Sequence, residues 1–179
     1  MTNILVVTGS ARPNSVNSKV VPVVAEVIEE NNSTAIVADL AELNLPFMDS
    51  EFPPSHPNFE TSHENVKQWT KMVEDADGVI FVTPEYNHTM TPIQLNAIDW
   101  VSKQWQEKPV AFVSYGWTAG GKLATATANE ALAKVLKAKT GEKQVNLFFT
   151  KDINTDGSLI NEADTKKVIA ELVAELASV

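Results

Sequence analysis

Polar side chains and the only arginine of the chain are concentrated in residues 8–20, TGSARPNSVNSKV, directly after the apolar run NILVV. A helix predicted to begin near Asn17 would present backbone N–H groups and the positive end of a dipole, which favour an anion. Hydroxyl and amide groups donate hydrogen bonds to phosphate oxygens, and a guanidinium adds a charge-assisted contact that lysine cannot match in geometry. A capped polar loop is the alternative, but capping accounts for only one or two of these residues. The sequence therefore predicts phosphate binding by Ser10, Arg12, Ser15, Asn17 and Ser18.

Two further segments carry residues suited to a planar ligand. TPEYN, residues 83–87, follows an apolar run, and its Pro84, Tyr86 and Asn87 offer a stiff backbone, an aromatic face and an amide. A plain turn from strand to helix explains this segment equally well. SYGWTAGG, residues 114–121, contains three of the seven glycines of the chain, which favours close approach of the backbone to a ligand. A plain flexible loop is the alternative for this segment. Its Trp117 is a candidate for ring stacking or for an interface, or is simply a half-exposed side chain.

The known phosphate motifs are incomplete in this chain. No GxGxxG is present, so a dinucleotide site of that type has no support. GWTAGGKL, residues 116–123, approaches GxxxxGK[ST] but ends in Leu123, which has no hydroxyl for magnesium. A P-loop-like nucleotide-binding protein is therefore a weaker alternative.

Short apolar runs alternate with amphipathic segments along the whole chain, and this order predicts one α/β domain over residues 1–179 with a parallel sheet. Helices are predicted near residues 17–30, 66–73, 93–105, 121–138 and 169–176, and residues 44–65 form a proline-rich loop of the kind that is often functional or interfacial. The predicted strands are Ile4–Val7, Thr34–Leu40, Val79–Val82, Pro109–Ser114 and Gln144–Phe149.

The three segments described above follow the first, third and fourth strands. Ligands of open parallel sheets bind beyond the carboxyl ends of the strands, so these loops are expected to form one site. A phosphate cradle beside two backbone-rich loops fits a mononucleotide with a flat head group, and flavin mononucleotide (FMN) meets that description.

Composition excludes several other classes of function. The formal net charge of -9 argues against a general nucleic-acid-binding protein. The absence of cysteine excludes disulfides, thiolate catalysis and cysteine-ligated metals, and the three histidines lack a metal-ligand spacing. No apolar run is long enough to span a membrane, and the first residues lack the pattern of a signal peptide, so a cytoplasmic location is expected.

Residues 9–17 match GSxRxxSxN, residues 84–87 match PEYN, and residues 114–121 resemble a glycine loop. On these motifs the chain resembles the NADPH-dependent FMN reductase family of the flavodoxin-like superfamily. The resemblance implies a flavodoxin-like three-layer sandwich with a five-stranded parallel sheet in the order 2-1-3-4-5. It implies that the FMN phosphate is held by Ser10, Arg12, Ser15, Asn17 and Ser18. The residues expected around the flavin ring are Pro84, Glu85, Tyr86 and Asn87, with Ser114, Tyr115 and Gly116 near its other edge.

The resemblance also implies an activity. Family members use NADPH or NADH to reduce bound FMN and pass the electrons to free flavins, quinones, azo dyes or metal oxyanions, and they form homodimers or homotetramers. Because flavin N5 receives the hydride, no side chain is expected to be catalytic, and no metal is expected. His88 is either a donor to the acceptor or a surface histidine. A non-catalytic flavin-binding electron carrier is the alternative function.

Overall fold

The computed structural model describes residues 2–178, which form one parallel sheet covered by helices on both faces. The strands are β1 (Asn3–Val7), β2 (Thr34–Ala38), β3 (Gly78–Pro84), β4 (Pro109–Gly116), β5 (Lys139–Thr140) and β6 (Val145–Phe148). Their order in the sheet is β2-β1-β3-β4-β5, and β6 also pairs with β4, so the predicted order 2-1-3-4-5 is confirmed. The fifth position of the sheet is shared by two short strands, because β5 pairs with the beginning of β4 and β6 pairs with its end.

The predicted helices are all present, but several boundaries differ from the prediction, and the last helix already begins at Glu162. The second strand ends before Leu40, because the Asp39 side chain accepts hydrogen bonds from the Ala41 and Glu42 N–H groups and caps a short helix. The helix predicted over residues 93–105 ends at Asp99, and a 3₁₀ turn over Lys103–Trp105 follows it. The helix predicted over residues 121–138 is α-helical over Lys122–Glu130 and π-helical over Ala131–Val135, where it ends. The α-helices are α1 (Asn17–Glu30), α2 (Leu40–Leu43), α3 (Glu64–Asp75), α4 (Pro92–Asp99), α5 (Lys122–Glu130) and α6 (Glu162–Leu176).

Side-chain alternation along the strands divides the core into two layers. Leu5 and Val7 of β1 pack with residues of α3, α4 and α5, whereas Ile4 and Val6 pack with residues of α1 and α6. Because helices cover both faces, β1, β3 and β4 are largely apolar and buried, which is why they were predictable as continuous runs.

The proline-rich segment is irregular over residues 44–63, so the predicted loop 44–65 ends two residues early, because α3 begins at Glu64. The segment is hydrogen-bonded to the end of α4. The Pro46 carbonyl accepts hydrogen bonds from Asn96 Nδ2 at 2.9 Å and from Trp100 Nε1 at 2.7 Å. The neighbouring Phe47 side chain is 81% exposed. A functional or interfacial role of this segment stays a prediction.

The fold brings the three predicted loops together at the carboxyl edge of the sheet. Glu85 N–H donates to the Tyr115 carbonyl at 3.0 Å, which joins the second loop to the third. Gly9 lies so close to β3 that a Cβ atom at this position would be 2.3 Å from the Val82 carbonyl oxygen. Within residues 2–178, no helix combines the length and the apolar character that crossing a membrane requires.

Candidate functional site

A cleft of about 400 Å³ opens at the carboxyl ends of β1, β3 and β4. A cleft of this size and position is the usual place for a ligand in an open parallel sheet. Asn17, Ser18, Asn87 and Ser114 were also predicted site residues, but they are not part of the cleft wall. The predicted site residues that line the cleft are Ser10, Arg12, Ser15, Pro84, Glu85, Tyr86, Tyr115 and Gly116.

The first loop is shaped by Asn17, which is buried at the beginning of α1. Asn17 Oδ1 accepts a short hydrogen bond from Gly9 N–H, and Asn17 Nδ2 donates to the Tyr115 hydroxyl at 2.6 Å. The Ser18 hydroxyl donates to the Ser15 carbonyl at 2.8 Å. Asn17 and Ser18 therefore use their side chains on the protein itself, and they hold the loop in shape.

The beginning of α1 has fewer free donors than the sequence suggested. Ser18 N–H is bonded to the Ser15 carbonyl, and Lys19 N–H is bonded to the Val16 carbonyl. Donors for an anion are therefore expected mainly from the loop before the helix. In that loop, Arg12 is exposed, and among residues 2–178 its guanidinium takes part in no ion pair.

The second loop is a tight hairpin that contacts the first loop. Tyr86 and Thr89 exchange backbone hydrogen bonds of 3.1 and 3.0 Å around Asn87 and His88, which have φ values of 50° and 62°. Positive φ at both central residues is the geometry of a type I′ turn, which asparagine tolerates well. Asn87 is thus exposed at the tip of the turn. The Tyr86 hydroxyl lies 3.0 Å from Ser10 Oγ and joins this hairpin to the first loop.

Glu85 carries a buried carboxylate oxygen that lacks a partner. Its side chain is only 8% exposed, Oε1 lies 3.8 Å from His88 Nε2, and Oε2 has no hydrogen-bond partner within residues 2–178. An unpartnered buried polar atom is costly and marks a place where a ligand donor is expected. FMN carries such donors in its ring imide N–H and its ribityl hydroxyls. The cleft therefore fits FMN, with an arginine loop for the phosphate and a buried acceptor for the neutral part.

The third loop packs tightly on itself and on β4. Ser114 is buried, and its Oγ donates to the Gly120 carbonyl at 2.9 Å and accepts from Asn146 Nδ2 at 2.7 Å. Gly121 has φ of 89°, and a Cβ atom there would be 2.5 Å from Ser114 Cβ. A Cβ atom on Gly116 would be 3.1 Å from Gly121 N. A loop closed in this way offers no cradle for a phosphate, so the structure does not support the P-loop alternative.

Aromatic rings form the rim of the cleft. Trp117 is 63% exposed and lies on Phe149, with ring centroids 4.9 Å apart and planes inclined by 31°. Phe149 also meets the edge of Tyr115 at 6.1 Å. Phe149 and Thr155 line the cleft although neither was predicted. Phe149 directly follows β6. Because ligands of parallel sheets bind beyond the carboxyl ends of the strands, its position after a strand could have marked it as a site residue.

Comparison with known proteins places the chain in a family. The sequence model described as NADPH-dependent FMN reductase matches residues 2–151. The chain is 34% identical to the NAD(P)H-dependent FMN reductase ntnL of Nectria sp over 154 residues, which cover 83% of this chain and 76% of that protein. It is 29% identical to the 2-hydroxy-1,4-benzoquinone reductase of Burkholderia sp, covering 98% and 94% of the two chains.

The fold is shared with solved flavoenzymes. The flavoenzyme NAD(P)H:(acceptor) oxidoreductase FerB of Paracoccus denitrificans superposes with a TM-score of 0.76 at 20% identity, covering 99% of this chain and 98% of that chain. The flavodoxin-like fold is therefore confirmed. Together with the sequence match over most of its length, this shows that the chain belongs to the NADPH-dependent FMN reductase family.

Proposed function

We propose that this protein is an FMN-dependent NAD(P)H oxidoreductase that transfers electrons from a reduced nicotinamide, through bound flavin, to free flavin, quinone, azo or similar acceptors. The observation that carries the proposal is the cleft itself, because it joins the only arginine of the chain to a buried carboxylate oxygen that has no donor within residues 2–178. The family match and the activities after which the relatives are named support the same function.

The residues of the chain are assigned to binding and orientation. Arg12, Ser10 and Ser15 bind the phosphate, and Asn17 fixes the shape of their loop through Gly9. Glu85 accepts a hydrogen bond from the neutral part of the cofactor. FMN, when bound, supplies the redox chemistry, so the site needs no catalytic acid, base or nucleophile of its own.

The open side of the cleft is assigned to the nicotinamide and the acceptor. The exposed indole of Trp117 stands at this side, where an aromatic ring can stack on it. The exposed side chains of Trp117 and Phe47 also support a homodimer or homotetramer, which light scattering on the purified protein tests directly. A single domain over residues 1–179 and a cytoplasmic location stay predictions.

Steady-state turnover separates the enzyme from an electron carrier. Purified protein loaded with FMN is expected to oxidise NADPH or NADH in the presence of a benzoquinone, much faster than the same concentration of free FMN. The control is the same preparation after removal of the flavin. A carrier would bind FMN yet oxidise neither nicotinamide above the rate of free flavin, and that result would contradict the proposal.

Replacement of Glu85 by glutamine is expected to change stability and FMN affinity in opposite directions. The flavin-free variant should be more stable than the wild type, because the buried unpartnered carboxylate is replaced by a neutral amide. FMN affinity should fall by about 1 kcal/mol, because the amide oxygen still accepts a hydrogen bond but carries less negative charge.

Thermal unfolding of the flavin-free protein and fluorescence titration with FMN measure the two effects of this substitution. His88→Gln is the matched control, since His88 is exposed and its Nε2 lies 3.8 Å from the other carboxylate oxygen, Oε1. Unchanged FMN affinity in Glu85→Gln would show that the carboxylate does not face the cofactor.

A further inference from the structure

The alternation of side chains along β4 determines where Tyr115 points. Val113 and Tyr115 lie on the face of the sheet that packs against α1 and α6, and Ser114 lies on the opposite face, bonded to Gly120. The helix α1 begins directly after the phosphate loop. Tyr115 therefore extends from the fourth strand toward the loop that follows the first strand.

A chain of hydrogen bonds fixes the direction in which the Tyr115 hydroxyl donates. The Gly9 N–H can only donate, so it binds the oxygen of the Asn17 amide, and the nitrogen of that amide must face Tyr115. The Tyr115 oxygen is thus the acceptor in the 2.6 Å contact with Asn17. Within residues 2–178 its own proton has no acceptor, although the residue is only 4% exposed and lines the cleft.

The Tyr115 hydroxyl keeps its proton throughout the pH range in which the protein is expected to work. Burial raises the pKa of Tyr115 well above the usual value of a phenol, and the hydrogen bond from Asn17 and the positive charge of Arg12 offset this only in part. The cleft wall therefore contains both a donor that stays protonated and an arginine, a combination that suits an anionic oxygen.

We propose that the Tyr115 hydroxyl donates a hydrogen bond to the phosphate of FMN, so that the fourth strand contributes a ligand to the phosphate site. The resemblance to the family implied contact of Tyr115 with the edge of the flavin ring instead. The inference rests on the proposed function, since it requires FMN in the cleft. It adds a specific consequence, because Tyr115 then contributes to the discrimination between FMN and riboflavin, which lacks the phosphate.

The test is the affinity of wild type and Tyr115→Phe for FMN and for riboflavin, measured by quenching of flavin fluorescence on the flavin-free proteins. Phenylalanine retains the ring that packs on Phe149 and removes the hydroxyl, and with it the acceptor of the hydrogen bond from Asn17 Nδ2. FMN is expected to bind about tenfold more weakly to the variant, and riboflavin is expected to bind almost as it does to the wild type. The phosphorus NMR resonance of bound FMN should also shift between the two proteins.

Tyr86→Phe is the matched comparison, because Tyr86 is the only other tyrosine of the chain. Its hydroxyl is paired with Ser10 Oγ, which can itself turn to the phosphate once the phenol is removed, so the loss of selectivity should be smaller. Equal weakening of FMN and riboflavin by Tyr115→Phe, or an unshifted phosphorus resonance, would overturn the proposal and leave Tyr115 a structural residue. Failure of the wild type to bind FMN would instead overturn the proposed function.

Discussion

Replacement of Gly9 by alanine is expected to abolish FMN binding and to lower the free energy of unfolding by about 2–4 kcal/mol. An added Cβ atom would lie 2.3 Å from the Val82 carbonyl oxygen and 2.6 Å from Pro84 Cδ. Backbone and a proline ring cannot rotate away, so the first loop would have to separate from β3. The N–H of residue 9, which holds Asn17, would move with it.

Urea unfolding and FMN titration of the Gly9→Ala variant test this expectation. Gly78→Ala is the matched control, because the nearest atom to its new methyl group would be Leu176 Cδ2 at 3.1 Å, the end of a flexible side chain. The control should retain FMN binding and lose little stability. If Gly9→Ala bound FMN as tightly as the control, the close packing of the first loop on β3 would not be needed for the site.

Replacement of Arg12 by alanine is expected to weaken FMN binding by about 1.5–3 kcal/mol, the range of a charge-assisted hydrogen bond. The chain has a formal net charge of -9, so a dianionic ligand depends on a local positive group. Arg12 is the only guanidinium, and no ion pair within residues 2–178 competes for it. Arg12→Lys should recover only part of the affinity, because an ammonium lacks the planar fork of donors.

Two controls separate a direct contact of Arg12 from a general effect of charge. Lys19→Ala removes a nearby exposed cation of α1 that is outside the cleft wall, and it should change FMN affinity little. Riboflavin should bind almost equally to wild type and Arg12→Ala, because it lacks the phosphate. Loss of affinity for riboflavin to the same extent would place Arg12 on another part of the ligand.

The sheet and the positions of the three loops were predictable because both depend on local patterns. Strands covered on both faces are continuous apolar runs, and the loops after them contain the clustered polar residues, the arginine and the glycines that a ligand site requires. The split of the fifth strand was not predictable, because Lys139 and Thr140 are too short a run to stand out from the sequence. The helix after Asp39 was missed because its cap depends on the orientation of one side chain.

The roles of individual site residues were harder to predict than their location. Asn17 and Ser114 are polar residues of the right type, yet the fold uses them for hydrogen bonds to Tyr115 and to Asn146, which are distant in sequence. Sequence alone does not show which polar groups are already satisfied. The unpartnered oxygen of Glu85 could be found only in the structure, since it is defined by the absence of neighbouring donors. The alternation of side chains along β4, in contrast, allows the sequence alone to place Tyr115 and Ser114 on opposite faces of the sheet.

A crystal structure of the protein soaked with FMN tests directly whether the loop after β1 binds the phosphate. Phosphate density is expected within hydrogen-bond distance of Arg12 and Ser10, with the flavin ring beside residues 84–87. Density for FMN elsewhere, with the loop at residues 9–17 free of phosphate, would contradict phosphate binding by this loop.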